Sequence, residues 1–168
     1  MRREVGLARE GSDEAPSKLS PHLPPRKSTS SQDFATADDN GNMRERTLIS
    51  SGSPFEPQVG FSRAVVIGDR ALVAGTAPIW PDGSCPADVY LQTRRCLEII
   101  LDALAAAGFG PDHVVRTRLF LVDRADAEAV GRAHGELFSA ARPASTMVVV
   151  KELLDPRWRV EIEAEAIR

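Results

Sequence analysis

Apolar and polar positions alternate most cleanly near the C-terminus. Val160, Ile162, Ala164 and Ala166 point one way, and Arg159, Glu161, Glu163 and Glu165 the other. A period of two marks a strand with unlike faces, so Trp158–Ile167 is predicted as a strand. The same period predicts a strand over Val114–Val122, with Val115, Thr117, Leu119 and Leu121 opposed to Arg116, Arg118 and Phe120. Two β-rich runs, Phe61–Ile67 and Arg70–Thr76, flank Gly68-Asp69 and read as a tight hairpin. Shorter strands are expected at Thr47–Ser51 and Ser145–Lys151, and a loop at Pro78–Pro86 turning on Pro81-Asp82-Gly83.

Two stretches carry the helical period instead. Thr93, Leu97, Ile100, Leu101 and Leu104 form one apolar face within Ala87–Ala107, and Gly108 is a natural stop. A second helix begins near Asp123, a plausible N-cap, with Val130, Ala133, His134, Leu137 and Phe138 on its inner side. The order β-β-β-α-β-α-β-β suits an α+β fold, one sheet with both helices on one face. The second face of that sheet mixes Arg116 and Arg118 with strand glutamates. It is either solvated or an assembly interface with charges paired across subunits.

Residues 1–42 break the pattern. They are rich in Ser, Pro and charge, poor in large apolar groups, and expected to be disordered, leaving a single domain over 43–168. Across the 168 residues the net charge is −3, which argues against a broad grip on nucleic acid. No run approaches the roughly 18 apolar residues of a membrane span, and the N-terminus lacks the apolar run of a signal peptide. Cys85 and Cys96 do not form a CxxC pair, and His22, His113 and His134 are scattered. Reduced thiols, a cytoplasmic location and no metal site are therefore expected.

Several segments, in order, resemble the RidA/YjgF family over Met43–Arg168. Val59 to Val65 is similar to the family's GPYSQAV strand. Gly68-Asp69 through Pro78 is similar to its VGDLIFVSGQIP hairpin, and Gln92-Thr93-Arg94 through Gly108 to its QTRQALEN helix. His113 to Asp123 resembles DVVKTTVFLKD, Arg142 to Thr146 resembles PARST, and Val160 to Ala164 resembles VEIEA. The resemblance implies a chorismate-mutase-like fold, three subunits joined into a barrel, and clefts between subunits for small carboxylates. It also implies hydrolysis of reactive enamines and imines to 2-oxo acids and ammonia, without cofactor or metal.

Carried over position by position, the resemblance makes Glu161 the carboxylate that orients the hydrolytic water. Its other reading is an interface acid paired with Arg116 or Arg118. Gly75 matches a glycine that lets the backbone approach the ligand, or else marks a tight bend. Phe61 stands in place of a site tyrosine, and Gly131 in place of an asparagine. Ser145 replaces the arginine whose fork grips the substrate carboxylate; a hydroxyl cannot supply that charge. Thr146 is a ligand contact. Two candidates come from this chain alone. Arg118 is either a carboxylate anchor or a strand ion pair, and His134 either a cleft group or a packed core histidine. Cys96 reads as core packing. The functions in view are a RidA-like hydrolase of small imines or enamines and a non-catalytic trimeric metabolite binder. Ribonuclease activity is disfavoured by the acidic balance.

Overall fold

Val160, Ile162, Ala164 and Ala166 are all buried, and together they form the middle row of the core. The computed structural model describes residues 45–168, together with the backbone of Thr36–Ala37 (β1) and Met43–Arg44 (β2), two short strands that pair with each other. The disorder expected for residues 1–42 otherwise lies outside the described residues.

The main sheet has six strands in the order β3-β4-β5-β8-β6-β7. These are β3 (Arg46–Ile49), β4 (Ala64–Ile67), β5 (Arg70–Thr76), β6 (Val114–Leu121), β7 (Ala144–Val149) and β8 (Val160–Ile167). All neighbours are antiparallel except β6 and β7, which run parallel. Helices α2 (Val89–Ala106) and α3 (Ala127–Phe138) pack against each other, and α2 lies over β5 and β8. Leu97, Ile100, Leu104, Val130 and Phe138 meet Leu119, Leu121 and Ile162 in one core cluster. The predicted order and the single layer of helices are both present. No helix among the described residues is long and apolar enough to cross a membrane.

Local chemistry sets the ends of these elements. Asp88 caps α2 by accepting from the amides of Tyr90 (2.8 Å) and Leu91 (3.2 Å). Gly108 follows it at φ +78°, the left-handed stop. Ile67 and Arg70 face each other across Gly68-Asp69, with Gly68 at φ +60° as a tight hairpin requires. Asp123 caps a single 3-10 turn through Ala125 N, and α3 starts only at Ala127.

Two expectations need correction, and one element was not expected. Val115 is 40% exposed, and the core row of β6 is Val114, Thr117, Leu119 and Leu121. A bulge between Val114 and Arg116 inserts one residue against β8 and reverses the alternation there. Phe61-Ser62-Arg63 precedes its strand rather than opening it, because β4 begins at Ala64. A short helix absent from the sequence reading, α1 (Phe55–Val59), ends at Gly60 with φ +81°.

Candidate functional site

The β5–β8 pairing slips between Val73 and Thr76. Val73 faces Ala164 and Thr76 faces Ile162, so Ala74 and Gly75 share the space of one residue. Glu161 lies beside this bulge. A Cβ on Gly75 would overlap Glu161 Oε1 and come within 3.3 Å of its Cδ. Glycine is therefore what lets the carboxylate sit against the strand. The group that approaches Gly75 within the chain is Glu161, where the expectation was a ligand.

Arg63 closes the other side. Its Nη1 donates to Gly75 O (2.9 Å), Thr76 Oγ1 (2.8 Å) and, more distantly, Ala74 O (3.4 Å). Its guanidinium carbon lies 5.8 Å from the centre of the Phe61 ring. Arg63 Nε is buried with no hydrogen-bond partner. Glu56 is buried behind Ser50 and Ser51, accepting from both hydroxyls and from Ser51 N (2.8 Å). Burial opposes its charge, yet those bonds and Arg63 hold its carboxyl below the usual range. For Glu161 the balance is reversed. Burial pushes its carboxyl up and Glu163 adds to the rise, while Arg63 only moderates it. Burial also lowers the Arg63 pKa, against the pull of Glu56 and Glu161. Beside Arg63 opens a groove of about 720 Å³, whose walls include Thr76, Trp80, Arg95 and Ile99.

The remaining sequence candidates lie elsewhere. Arg118 sits between Thr146 on β7 and Glu163 on β8, and is ion-paired with Glu163 and, at 3.8 Å, with Glu165. Arg70 and Arg116 also meet Glu165. Arg70, Arg116 and Arg118 on the second face thus pair with Glu163 and Glu165 within the chain. Ser145 is exposed on the edge strand β7, opposite Thr117. Two strands across and three residues along, it lies roughly 14 Å from Glu161 in the sheet. Thr117 Oγ1 donates to Ser145 Oγ (3.0 Å) and lies 2.9 Å from His134 Nε2. The imidazole is half-buried against Phe138, and burial lowers its pKa.

One chain therefore brings Glu161, Gly75 and Phe61 together around Arg63, and His134 together with Ser145, but it does not join the two groups. Glu56 and Thr117 were not foreseen. Their only sequence signals are an acid five residues after a serine pair and a hydroxyl in an apolar row. Cys96 is buried, with its thiol pushed up by burial, as a packing group. Among the described residues no three His, Cys, Asp or Glu side chains converge to hold a metal ion.

Residues 52–168 match the protein family described as Endoribonuclease L-PSP. The crystal structure of Rv2704 from Mycobacterium tuberculosis, a member of the YjgF/YER057c/UK114 family, is similar at a TM-score of 0.68 and 43% identity, over 73% of this chain and 99% of that one. The 2-iminobutanoate/2-iminopropanoate deaminase of Escherichia coli K12 is 32% identical over 129 residues, 73% of this chain and 98% of its own. The structure of E. coli TdcF with bound serine is similar at a TM-score of 0.61 and 26% identity, over 72% of this chain and 93% of that one.

Proposed function

This chain belongs to the Endoribonuclease L-PSP family, the RidA/YjgF family, and from that premise we propose that it hydrolyses small imines or enamines in clefts between three copies of itself. The observation that carries this reading is the Glu161 carboxylate, seated over Gly75 and beside Arg63. A half-buried carboxylate with a raised pKa exchanges protons closer to neutrality than an exposed one. Water oxygen bonds to the imine carbon as the C=N pair moves to nitrogen. Glu161 carries the two protons of the water in turn to that nitrogen. The C–N bond then breaks, ammonia leaves with the bonding pair, and a C=O remains.

Trimer assembly is part of the proposal. It would bring the Ser145 edge of one copy toward the Glu161 end of the next, which a single chain keeps apart. With Arg118 engaged by Glu163 and Glu165, Arg63 is the cation nearest the chemistry. No cofactor is needed for this addition and elimination. The two free cysteines suit a reducing, cytoplasmic setting. The strand arginines Arg70, Arg116 and Arg118 are paired with glutamates, which supports a small-molecule ligand over RNA.

Ammonia release from dehydratase-generated 2-aminoacrylate tests the reading. Release by the unmodified protein and its loss in Glu161→Gln are expected; equal release in both would remove Glu161 from the chemistry. The neutral hydroxyl of Ser145 on the edge strand, where the resemblance places a cation in the deaminases, favours a second reading: a trimeric metabolite binder without catalysis. Silence in the unmodified protein with activity gained in Ser145→Arg would select it.

A further inference from the structure

The groove of about 720 Å³ beside Arg63 runs along one side of helix α2. Its α2 wall is Arg95, Ile99, Asp102, Ala103 and Ala106, the spacing of a single helical face. Ile49 of β3, Phe55 of α1 and the loop residues Ile79 and Trp80 line the rest. The space exists because α2 packs over β5 and β8, whereas β3 lies two strands beyond β5. A concave, mainly apolar space of this size with a few polar groups is the form of a small-molecule site. Those polar groups are unequal. Arg95 and Arg118 are ion-paired with Glu98 and Glu163, but Arg63 has no ion pair among the described residues, and Glu56 and Glu161 act on it only at longer range. The Glu56 oxygens are taken by Ser50 and Ser51. Arg63 Nη1 is occupied by Gly75 O and Thr76 Oγ1, Nε is buried without a partner, and Nη2 bonds to nothing among the described residues. A half-buried guanidinium in that condition is a charge lacking its acceptor.

We propose that this groove binds an organic carboxylate whose apolar body is about the size of one aromatic ring. The carboxylate accepts from Arg63 Nη2, and the apolar body lies among Ile79, Trp80 and Ile99. Arg95, whose Nε donates to Ile79 O at 2.8 Å, holds that loop against α2 and adds a second positive charge to the groove. Asp102 is the one acid among the lining residues, and it stands two turns further along α2, about 10 Å by helical rise, so the cationic end and the acid stay apart. A bare anion would leave the apolar walls wet, and a neutral ring would leave Arg63 without its acceptor; a ring that carries one carboxylate meets both needs. Glu161 is not among the lining residues, so the site is separate from the proposed hydrolysis, although Arg63 borders both.

The test is calorimetric binding of phenylacetate, acetate and phenylacetamide to the full chain at pH 7.5. Phenylacetate is expected to bind about tenfold or more tighter than acetate, which lacks the ring. It should also bind about tenfold tighter than phenylacetamide, which keeps the shape and loses the charge. Arg63→Gln should remove the preference for phenylacetate over phenylacetamide. Because Arg63 also ties Gly75 and Thr76 together, Ile99→Glu serves as a second variant: it leaves Arg63 in place, sets a like charge in the groove wall, and should weaken phenylacetate binding by about tenfold or more. The indole N–H resonance of Trp80 should move on adding phenylacetate to the unmodified protein and stay still in Ile99→Glu. No phenylacetate binding, affinity matched by acetate or by phenylacetamide, or binding that survives Ile99→Glu with the Trp80 signal unmoved overturns the inference. Ammonia release and its dependence on Glu161 bear on none of these outcomes, so the groove and the hydrolase stand or fall separately.

Discussion

Gly75 and Glu161 occupy one space: the volume a side chain would take on the first holds the carboxylate of the second. The clash that a methyl group would create falls on the far end of a flexible side chain. Gly75→Ala should therefore fold with a loss of about 1 kcal/mol, at the low end of overpacking, while its ammonia release falls much further than its stability. Chemical denaturation and initial rates on the same sample check the split. A loss shared equally by both would mean that the glycine serves only the bend.

Glu161 should also show a trade between stability and chemistry. Its carboxyl is raised in the folded state by burial, against the pull of Arg63. Such a group contributes stability below its unfolded pKa, and that contribution is lost as pH rises through the folded value. Glu161→Gln is expected to melt higher than the unmodified protein at pH 7.5, with the gain fading near pH 4, even as activity disappears. Melting curves at the two pH values decide it.

Arg63→Gln removes the charge that moderates this rise. The acid limb of the pH–rate profile, above the ordinary glutamate range in the unmodified protein, should move to still higher pH in the variant. A limb that stays in place would mean that Arg63 does not act on Glu161.

Burial lowers the His134 pKa, which gives the opposite sign. Its contribution is present above the unfolded histidine pKa of about 6.5 and is lost as pH falls through that value toward the folded one. Melting temperature should therefore drop more between pH 7.5 and 5.5 in the unmodified protein than in His134→Asn.

Gln92 makes a stability prediction away from the site. Fully buried, its Nε2 donates to Pro86 O (2.7 Å) and Arg157 O (2.9 Å), and its Oε1 accepts from Arg159 N (2.8 Å). Gln92→Leu leaves Pro86 O and Arg159 N without these partners and Arg157 O with only the Cys85 thiol, and should cost about 3 kcal/mol, read as a lower denaturation midpoint at unchanged slope.

The helices and most strands were legible in the sequence because each buries one face, and a buried face imposes a period. Val115 was misread because a bulge changes phase without changing composition. Helix α1 was invisible: five residues are too few to show a period, and Pro57 reads as a breaker. Glu161 and Gly75 were legible only through resemblance. That they touch depends on a register slip that neither strand announces. The role of Arg63 was hidden for a similar reason, since its partners are largely backbone oxygens of another strand. The link from His134 to Ser145 passes through a threonine 17 residues from one and 28 from the other, a proximity that only the parallel β6–β7 pairing creates.

Both neighbours of β8 carry one residue more than β8 itself. Val73 to Thr76 spans three steps against two from Ala164 to Ile162, and Val114 to Arg116 spans two against one from Ala166 to Glu165. A sheet whose middle strand is shorter than the strands on either side cannot lie flat. Like a bonded strip with edges of unequal length, it must curl. The hollow of about 290 Å³ walled by Leu72, Arg118 and Glu163 lies where that curl gathers the strands. One inserted residue thus does two jobs in β5: it bends the wall, and it takes Gly75 out of the ladder to leave room for a carboxylate.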